Sequence, residues 1–403
     1  MKRHVTCLGL MMSSCAGFAG EVSPAALVTA TTVKKPFPHI SWRSDDGESS
    51  LDIGGALRVH YRDEGWDTAE NNGRLLFDTF RIDVQATYKN AFSDLGYWFQ
   101  DDGKRSVDRG FIGYRLNNHS SLQLGAPFKP FGIEPYPQFG TTWHLPFFMG
   151  YGVSAGVGMK YVYKDERWNL QLGYFPRMLP ADIRFSAEIG RGADFGKNLS
   201  QDNEKKNQLN ARIARTFLND NWKTEIGASL ATAELHNATT QDDGGYWAAG
   251  VHAVVNVGQW TLTTQGINYR YDPKNPEGVS KDSVLMGGNG LNPTYLIASK
   301  ATIASLNIAY DIDTPMLGPL KRVKLYNDYS RLMKTVSGWD DSQMYTVGAQ
   351  FLAMPVMAWV DLTWARNANH FGGAENGTGF INTSSVGSNQ WYYRTNVNIG
   401  YYF

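Results

Sequence analysis

Fifteen charged side chains at alternate positions of extended runs are the first feature of this chain with chemical potential. Arg58, Arg62, Arg81, Arg109, Arg115, Lys160, Arg212, Lys223 and Arg394 fall on the phase opposite to the apolar residues of their runs, and so do Asp52, Asp83, Asp94, Glu225, Asp311 and Asp361. Fixed charges along one face suit the electrostatic selection of a solute moving past them, since rings of arginine are what anion-conducting pores use. They do not supply the nucleophile, base and orienting acid of covalent catalysis. No H-E-x-x-H helix, Walker loop or Cys/His cluster accompanies them, so no catalytic residue, metal or cofactor is expected. Residues 127–152, PFKPFGIEPYPQFGTTWHLPFFMGYG, form a second group, in which five prolines and many aromatics stiffen a loop bearing Lys129, Glu134 and His144. Folded inward, such a loop would constrict a channel. His144 alone reads as structural rather than as a ligand.

Strands must position these side chains. In LDIGGALRVHYR, Leu51, Ile53, Leu57, Val59 and Tyr61 share one phase while Asp52, Arg58, His60 and Arg62 share the other, the period-two pattern of a strand between unlike solvents. The alternation predicts sixteen strands at 51–62, 75–89, 92–101, 107–116, 119–126, 153–164, 167–176, 206–218, 221–234, 245–257, 259–271, 302–313, 321–333, 342–354, 356–367 and 391–403. The phases of 259–271 and 321–333 are mixed, and Arg215 interrupts the apolar phase of 206–218. Links after even-numbered strands are short and those after odd-numbered ones mostly long. That asymmetry, on an even strand count, predicts an all-β fold: a closed transmembrane antiparallel β-barrel of about 16 strands with a constriction loop in its lumen. No run after the N-terminus supplies the ~18 apolar residues of a spanning helix. The closing stretch WYYRTNVNIGYYF fits a barrel, with Tyr393, Val397, Ile399, Tyr401 and Phe403 turned to lipid and its last aromatics in the periplasmic girdle.

Lys plus Arg and Asp plus Glu are equal at 38 each, which gives no reason to expect nucleic acid as a partner. Lys2, Arg3 and His4, the apolar VTCLGLMM and the small-residue end Gly17-Phe18-Ala19 predict a signal peptide over 1–19, with Cys15 as a lipoprotein acceptor the rival reading. Residues 20–50 then read as a periplasmic lead segment and 51–403 as the barrel. Counted from the short-turn end, Arg58, Arg81, Arg109 and Arg394 stand at similar heights, which predicts one arginine patch on one wall at mid-height. Arg62 and Lys160 complete the expected pore-lining, anion-contacting set.

The stretch FIGYRLNNHSSLQLGAPFKPFGIEP, Phe111 to Pro135, resembles the part of the phosphate-selective porin O/P family in which a strand leads through an LGQFKxPFGLE-like motif into the constriction loop; FRIDVQATYKNAFSDLGYWF, Phe80 to Phe99, is also similar. Position by position, only KPFGIE, Lys129 to Glu134, matches. The resemblance implies a sixteen-stranded trimeric channel of the Gram-negative outer membrane, anion-selective in the best-known members. The expected function is passive diffusion of small hydrophilic solutes with an anion preference, phosphate or similar. The alternatives are a general or carbohydrate diffusion porin and an outer-membrane barrel enzyme. Expected partners are small anions or hydrophilic solutes, outer-membrane lipid and lipopolysaccharide, the barrel-assembly machinery, and two further copies in a homotrimer.

Overall fold

The computed structural model describes residues 37–66, 72–100, 105–177, 201–286, 295–368, 370–372 and 389–403. Sixteen long strands follow the alternating pattern closely. They are β1 (Ser49–Glu64), β2 (Arg74–Tyr88), β3 (Ala91–Gln100), β4 (Arg105–Arg115), β5 (Ser120–Ala126), β6 (Gly158–Lys164), β7 (Trp168–Arg177) and β8 (Asn203–Asn219), then β9 (Trp222–Asn237), β10 (Asp243–Val257), β11 (Trp260–Asp272), β12 (Lys300–Leu317), β13 (Leu320–Lys334), β14 (Ser342–Ala353), β15 (Val356–Arg366) and β16 (Trp391–Tyr402). Each pairs antiparallel with its sequence neighbours, and β16 closes on β1 from Arg394 opposite Glu64 to Tyr402 opposite Ala56. Closure leaves the sheet without a free edge strand, the condition for a sheet to cross hydrocarbon.

The outward phase is apolar and exposed: Leu124, Leu172, Ile226, Leu230, Val251, Leu306, Val347 and Ile399 lie on it. Aromatics bound this belt, with Trp222, Trp260 and Tyr401 toward the short turns and Trp247, Tyr345 and Tyr393 toward the long links. Arg215, the interruption in β8, lies against Trp168 and Phe217 with its guanidinium 5.1 and 4.9 Å from their ring centroids, a cation seated in the aromatic girdle.

Three expectations are corrected. Residues 153–157 are not strand; β6 begins at Gly158, and the preceding residues hold only the Phe128–Ala155 bridge. The lead segment is not unpatterned throughout, because Ile40–Arg43 forms a short strand paired with Ser50–Ile53. It does so because β16 ends opposite Ala56 and leaves the first residues of β1 with an open edge. The link after β11 contains a hairpin, Ser283–Met286 with Tyr295–Ala298, buried throughout. The predicted signal peptide, 1–19, lies outside the described residues.

Phe403 stands where the terminal pattern puts it. Its N–H donates to the Gly55 carbonyl at 3.1 Å, and its ring stacks on Phe80 and Tyr401 at centroid distances of 6.3 and 6.4 Å. Replacing Phe403 with Asp is expected to lower the yield of folded, heat-modifiable protein, since an acidic group near the interface costs up to ~1 kcal/mol and the stacked terminus is lost. Unchanged yield and gel mobility would refute this.

Candidate functional site: the lumen and its latched loop

The proline-rich loop between β5 and β6 folds into the lumen, where its backbone finds partners along the inner wall. Its neck is closed by the Lys129 N–H donating to the Ser154 carbonyl at 2.7 Å. Gly132 N–H then donates to Ser229 Oγ on β9 at 3.0 Å, and Asn307 of β12 donates to the Pro137 carbonyl. Phe139 and Gly140 donate to Asp328 of β13 at 3.0 and 2.8 Å. Thr141 and Thr142 donate to Asp361 of β15 at 2.8 and 3.1 Å, and Asn396 of β16 donates to Thr141 Oγ1 at 2.6 Å. The loop thereby follows the inner wall from β9 around to β16.

Tyr326 reaches Asp361 by lying over Gly348, the residue between them in register. A Cβ at 348 would come within 2.4 Å of that ring, so only glycine permits the contact.

His144 caps the short helix Leu145–Phe148 and is buried, its ring nitrogens 3.0 Å from Ser330 Oγ and 2.8 Å from Thr346 Oγ1. Its role is to seat the loop. Burial pushes the imidazole down to about 3 from its usual value of 6.5, so the seated loop keeps it neutral. A released loop would take up a proton below about pH 6.5 while the seated loop would not, so seating weakens as pH falls below that value. Channel noise or conductance is therefore expected to rise between pH 6 and pH 4. His144→Gln should flatten that rise; an unchanged pH profile in the variant would exclude His144 as its source.

The loop's inner side joins a packed cluster with Tyr246, Tyr269, Tyr271 and the buried hairpin. Tyr295 Oη donates to the Phe148 carbonyl at 2.7 Å, and Tyr269 Oη to the Ala298 carbonyl at 3.0 Å. Lys129 donates to Gln208 Oε1 at 3.2 Å, and Glu134 accepts from Gln171 at 2.7 Å. Arg212 donates to the Gly132 carbonyl and pairs with Glu225 at 2.6 Å. Lys160, between Gln123 and Gly173 in register, is buried beside this network.

A second group of charges lies on the inner face of β1 to β4, where Trp98 belongs to the same packed cluster as Tyr136 and Phe147 of the loop. Arg58 and Arg81 come together there on Trp98, whose ring centroid is 5.1 Å from the Arg58 guanidinium and 5.3 Å from that of Arg81, and Arg109 joins them through Asp83. Carboxylates match them. Arg58 pairs with Asp78, Arg81 with Asp83 at 2.7 Å, and Arg109 with Asp94 at 2.9 Å, Asp108 at 2.8 Å and Asp83 at 3.4 Å. Asp78 and Asp108 were missed from sequence because each is the extra residue of a β-bulge, opposite Arg58/Val59 and Gly96/Tyr97 respectively. A bulge shifts the phase by one, which turns these acids inward.

Arg394 does not join this wall. Its neighbour Glu64 lies six positions above Arg58 on β1, and the two pair at 2.6 Å. The Arg394 guanidinium lies 4.4 Å from the Phe371 ring centroid and 5.4 Å from that of Trp66. Arg62 is half-exposed nearby, 3.9 Å from Glu64. Barrel stagger accounts for the displacement, since equal counts from the strand ends are not equal heights.

One string with a chemical look was also missed: Gly152–Gly156, GVSAG, fits G-x-S-x-G. The structure places Ser154 in the loop neck, followed by strand and not helix. The cavity beside it is lined by Lys129, Tyr151, Lys205, Gln208, Asn210 and Tyr246 and by no imidazole or carboxylate among the described residues. It is not a nucleophile elbow.

No family model and no curated protein matches the chain. Solved structures do. The outer membrane channel DcaP of Acinetobacter baumannii is 13% identical with a TM-score of 0.57, the match covering 90% of this chain and 99% of that one. OmpT, an outer membrane protein of Vibrio cholerae in trimer form, is 14% identical at TM-score 0.56, covering 88% and 99%. An anion-selective porin from Comamonas acidovorans is 15% identical at TM-score 0.52, covering 88% and 100%. These likenesses establish the fold as that of outer-membrane barrels.

Proposed function

We propose that this chain is an outer-membrane porin, a homotrimer in which each barrel gives passive passage to small hydrophilic solutes without catalysis. The observation that carries this reading is a closed sixteen-stranded barrel whose inner face is polar and holds a loop bound along β9 to β16. The neighbours' printed descriptions as outer-membrane channels and porins support it. With three arginines set against Asp78, Asp83, Asp94 and Asp108, the β1–β4 wall does not by itself favour anions. A modest anion preference, phosphate included, is the second reading. It is favoured by Lys160, Lys205 and Arg212 on the loop side, against Glu134 and Glu225.

Single-channel recording in planar bilayers tests both readings. A conductance proportional to KCl concentration is expected, and its absence from folded protein would overturn the porin reading. The reversal potential across a KCl gradient decides the second: a potential on the cation side removes the anion preference and leaves a general diffusion pore.

A further inference from the structure

We infer that Trp98 of β3 is the wall side of the channel's narrowest point, so that this one ring sets the size of solute the barrel admits. The inference rests on the porin reading above and adds to it the residue that fixes the width.

A single packed cluster crosses the lumen. It includes Trp98 at one side, Tyr136, Leu145 and Phe147 of the loop, and Leu332 on β13 and Ala365 on β15 at the other. Close-packed side chains leave no room for a hydrated solute, so passage requires the cluster to part. Its two sides are held differently. Toward β13 to β16 the loop is bound by the carboxylates of Asp328 and Asp361 and by Asn396. Toward β1 to β8 the cluster has one wall member among the described residues, Trp98. Where the packing rests on one ring it is thinnest, and a gap opens there first.

Trp98 projects from a low stretch of wall. Across the two ladders it faces Arg81 on β2 and the small Ser106 on β4, and the inward position before it on β3 is Gly96. A Cβ at 96 would come within 2.7 Å of the Arg109 guanidinium, which three carboxylates fix, so that position stays small. The ring itself is pinned. The Arg58 and Arg81 guanidiniums lie 5.1 and 5.3 Å from its centroid, and Asp78 and Asp83 hold them in turn. A ring seated in this way does not swing aside for a solute. The clearance is therefore what the loop's retreat from Trp98 leaves.

The test compares swelling of proteoliposomes in arabinose and in raffinose, a monosaccharide and a trisaccharide, and the single-channel conductance of the same protein. Trp98→Ala is expected to raise the raffinose rate relative to arabinose about tenfold and to raise conductance, since admission depends on pore width. Trp98→Leu, which keeps an apolar side chain and loses the ring, should move both in the same direction. Trp364→Ala removes a ring of β15 whose strand neighbours Thr363 and Ala365 are buried inside, and should leave the ratio unchanged. With Asp328→Ala and Asp361→Ala already present the loop is released, so Trp98→Ala should add little, whereas independent effects would add. A Trp98 that only stabilised the wall would lower the heat-modification temperature and leave the ratio as it was. That result overturns the inference, as does a full effect of Trp98→Ala in the released-loop background. Should the alanine variant fail to fold, a folded Trp98→Leu with the wild-type ratio overturns it equally. A wild type that conducts but shows no change in either variant sinks only this role of Trp98, whereas a folded barrel that never swells liposomes or conducts sinks the porin reading.

Discussion

Replacing Asp328 and Asp361 together by alanine is expected to release the constriction loop, raising single-channel conductance and open-channel noise while the barrel still folds. These two carboxylates accept five hydrogen bonds from the loop, from the N–H groups of Phe139, Gly140, Thr141 and Thr142 and from Thr141 Oγ1. Hydrogen bonds contribute about 0.5–1.5 kcal/mol each, and a buried N–H left without one costs about 1–3 kcal/mol. What remains on that side includes the pairing of His144 with Ser330 and Thr346 and the bonds between Gly132 and Ser229, Asn307 and the Pro137 carbonyl, and Asn396 and Thr141. The barrel itself is held by its ladder, which neither substitution touches. Asp361→Asn, which keeps an acceptor oxygen, should give a smaller change. A double variant with wild-type conductance and noise would show that the aromatic packing around Tyr151 and Tyr295 fixes the loop, and the carboxylates do not.

Sequence shows the barrel well because each strand lies between two solvents, and it fails where that condition lapses. The mixed phase of β11 comes from Ile267, Tyr269 and Tyr271, which face inward yet touch the loop and the buried hairpin rather than water. In β13 the same holds for Tyr326 and Leu332, while outward Arg331 pairs with Asp341 at the long-loop end. The hairpin at Ser283–Met286 carries no alternation because both of its faces are buried. Among the site residues, the clustering of Arg58, Arg81 and Arg109 was legible from position along their strands. Their neutralisation was only half legible. Asp83 and Asp94 sit on the expected phase, but Asp78 and Asp108 turn inward only through the bulges. The adjacent pair Asp108-Arg109, two charges on consecutive residues of a strand, was the available signal of a bulge.

Those bulges change what an arginine substitution should do. From sequence alone, neutralising Arg58 and Arg81 is expected to move selectivity toward cations and leave stability nearly intact, since both side chains face water. In the structure they are buried against Trp98 and paired with Asp78 and Asp83. Arg109 is the stronger case. It is 1% exposed and touches three carboxylates, of which Asp94 and Asp108 are themselves buried. Removing one partner of a buried ion pair costs about 3–5 kcal/mol, because the charge left behind has neither water nor a counterion. Arg109→Gln is therefore expected to lower the temperature of the heat-modification transition. In the same variant the reversal potential should move toward cations, most strongly in dilute KCl, where the Debye length is ~30 Å against ~3 Å at 1 M. Adding Asp94→Asn should return part of both losses, since it removes one of the stranded charges. A single variant as stable as the wild type, with only the potential shifted, would mean that Arg109 is a solvated pore charge and that the wall's carboxylates do not depend on it.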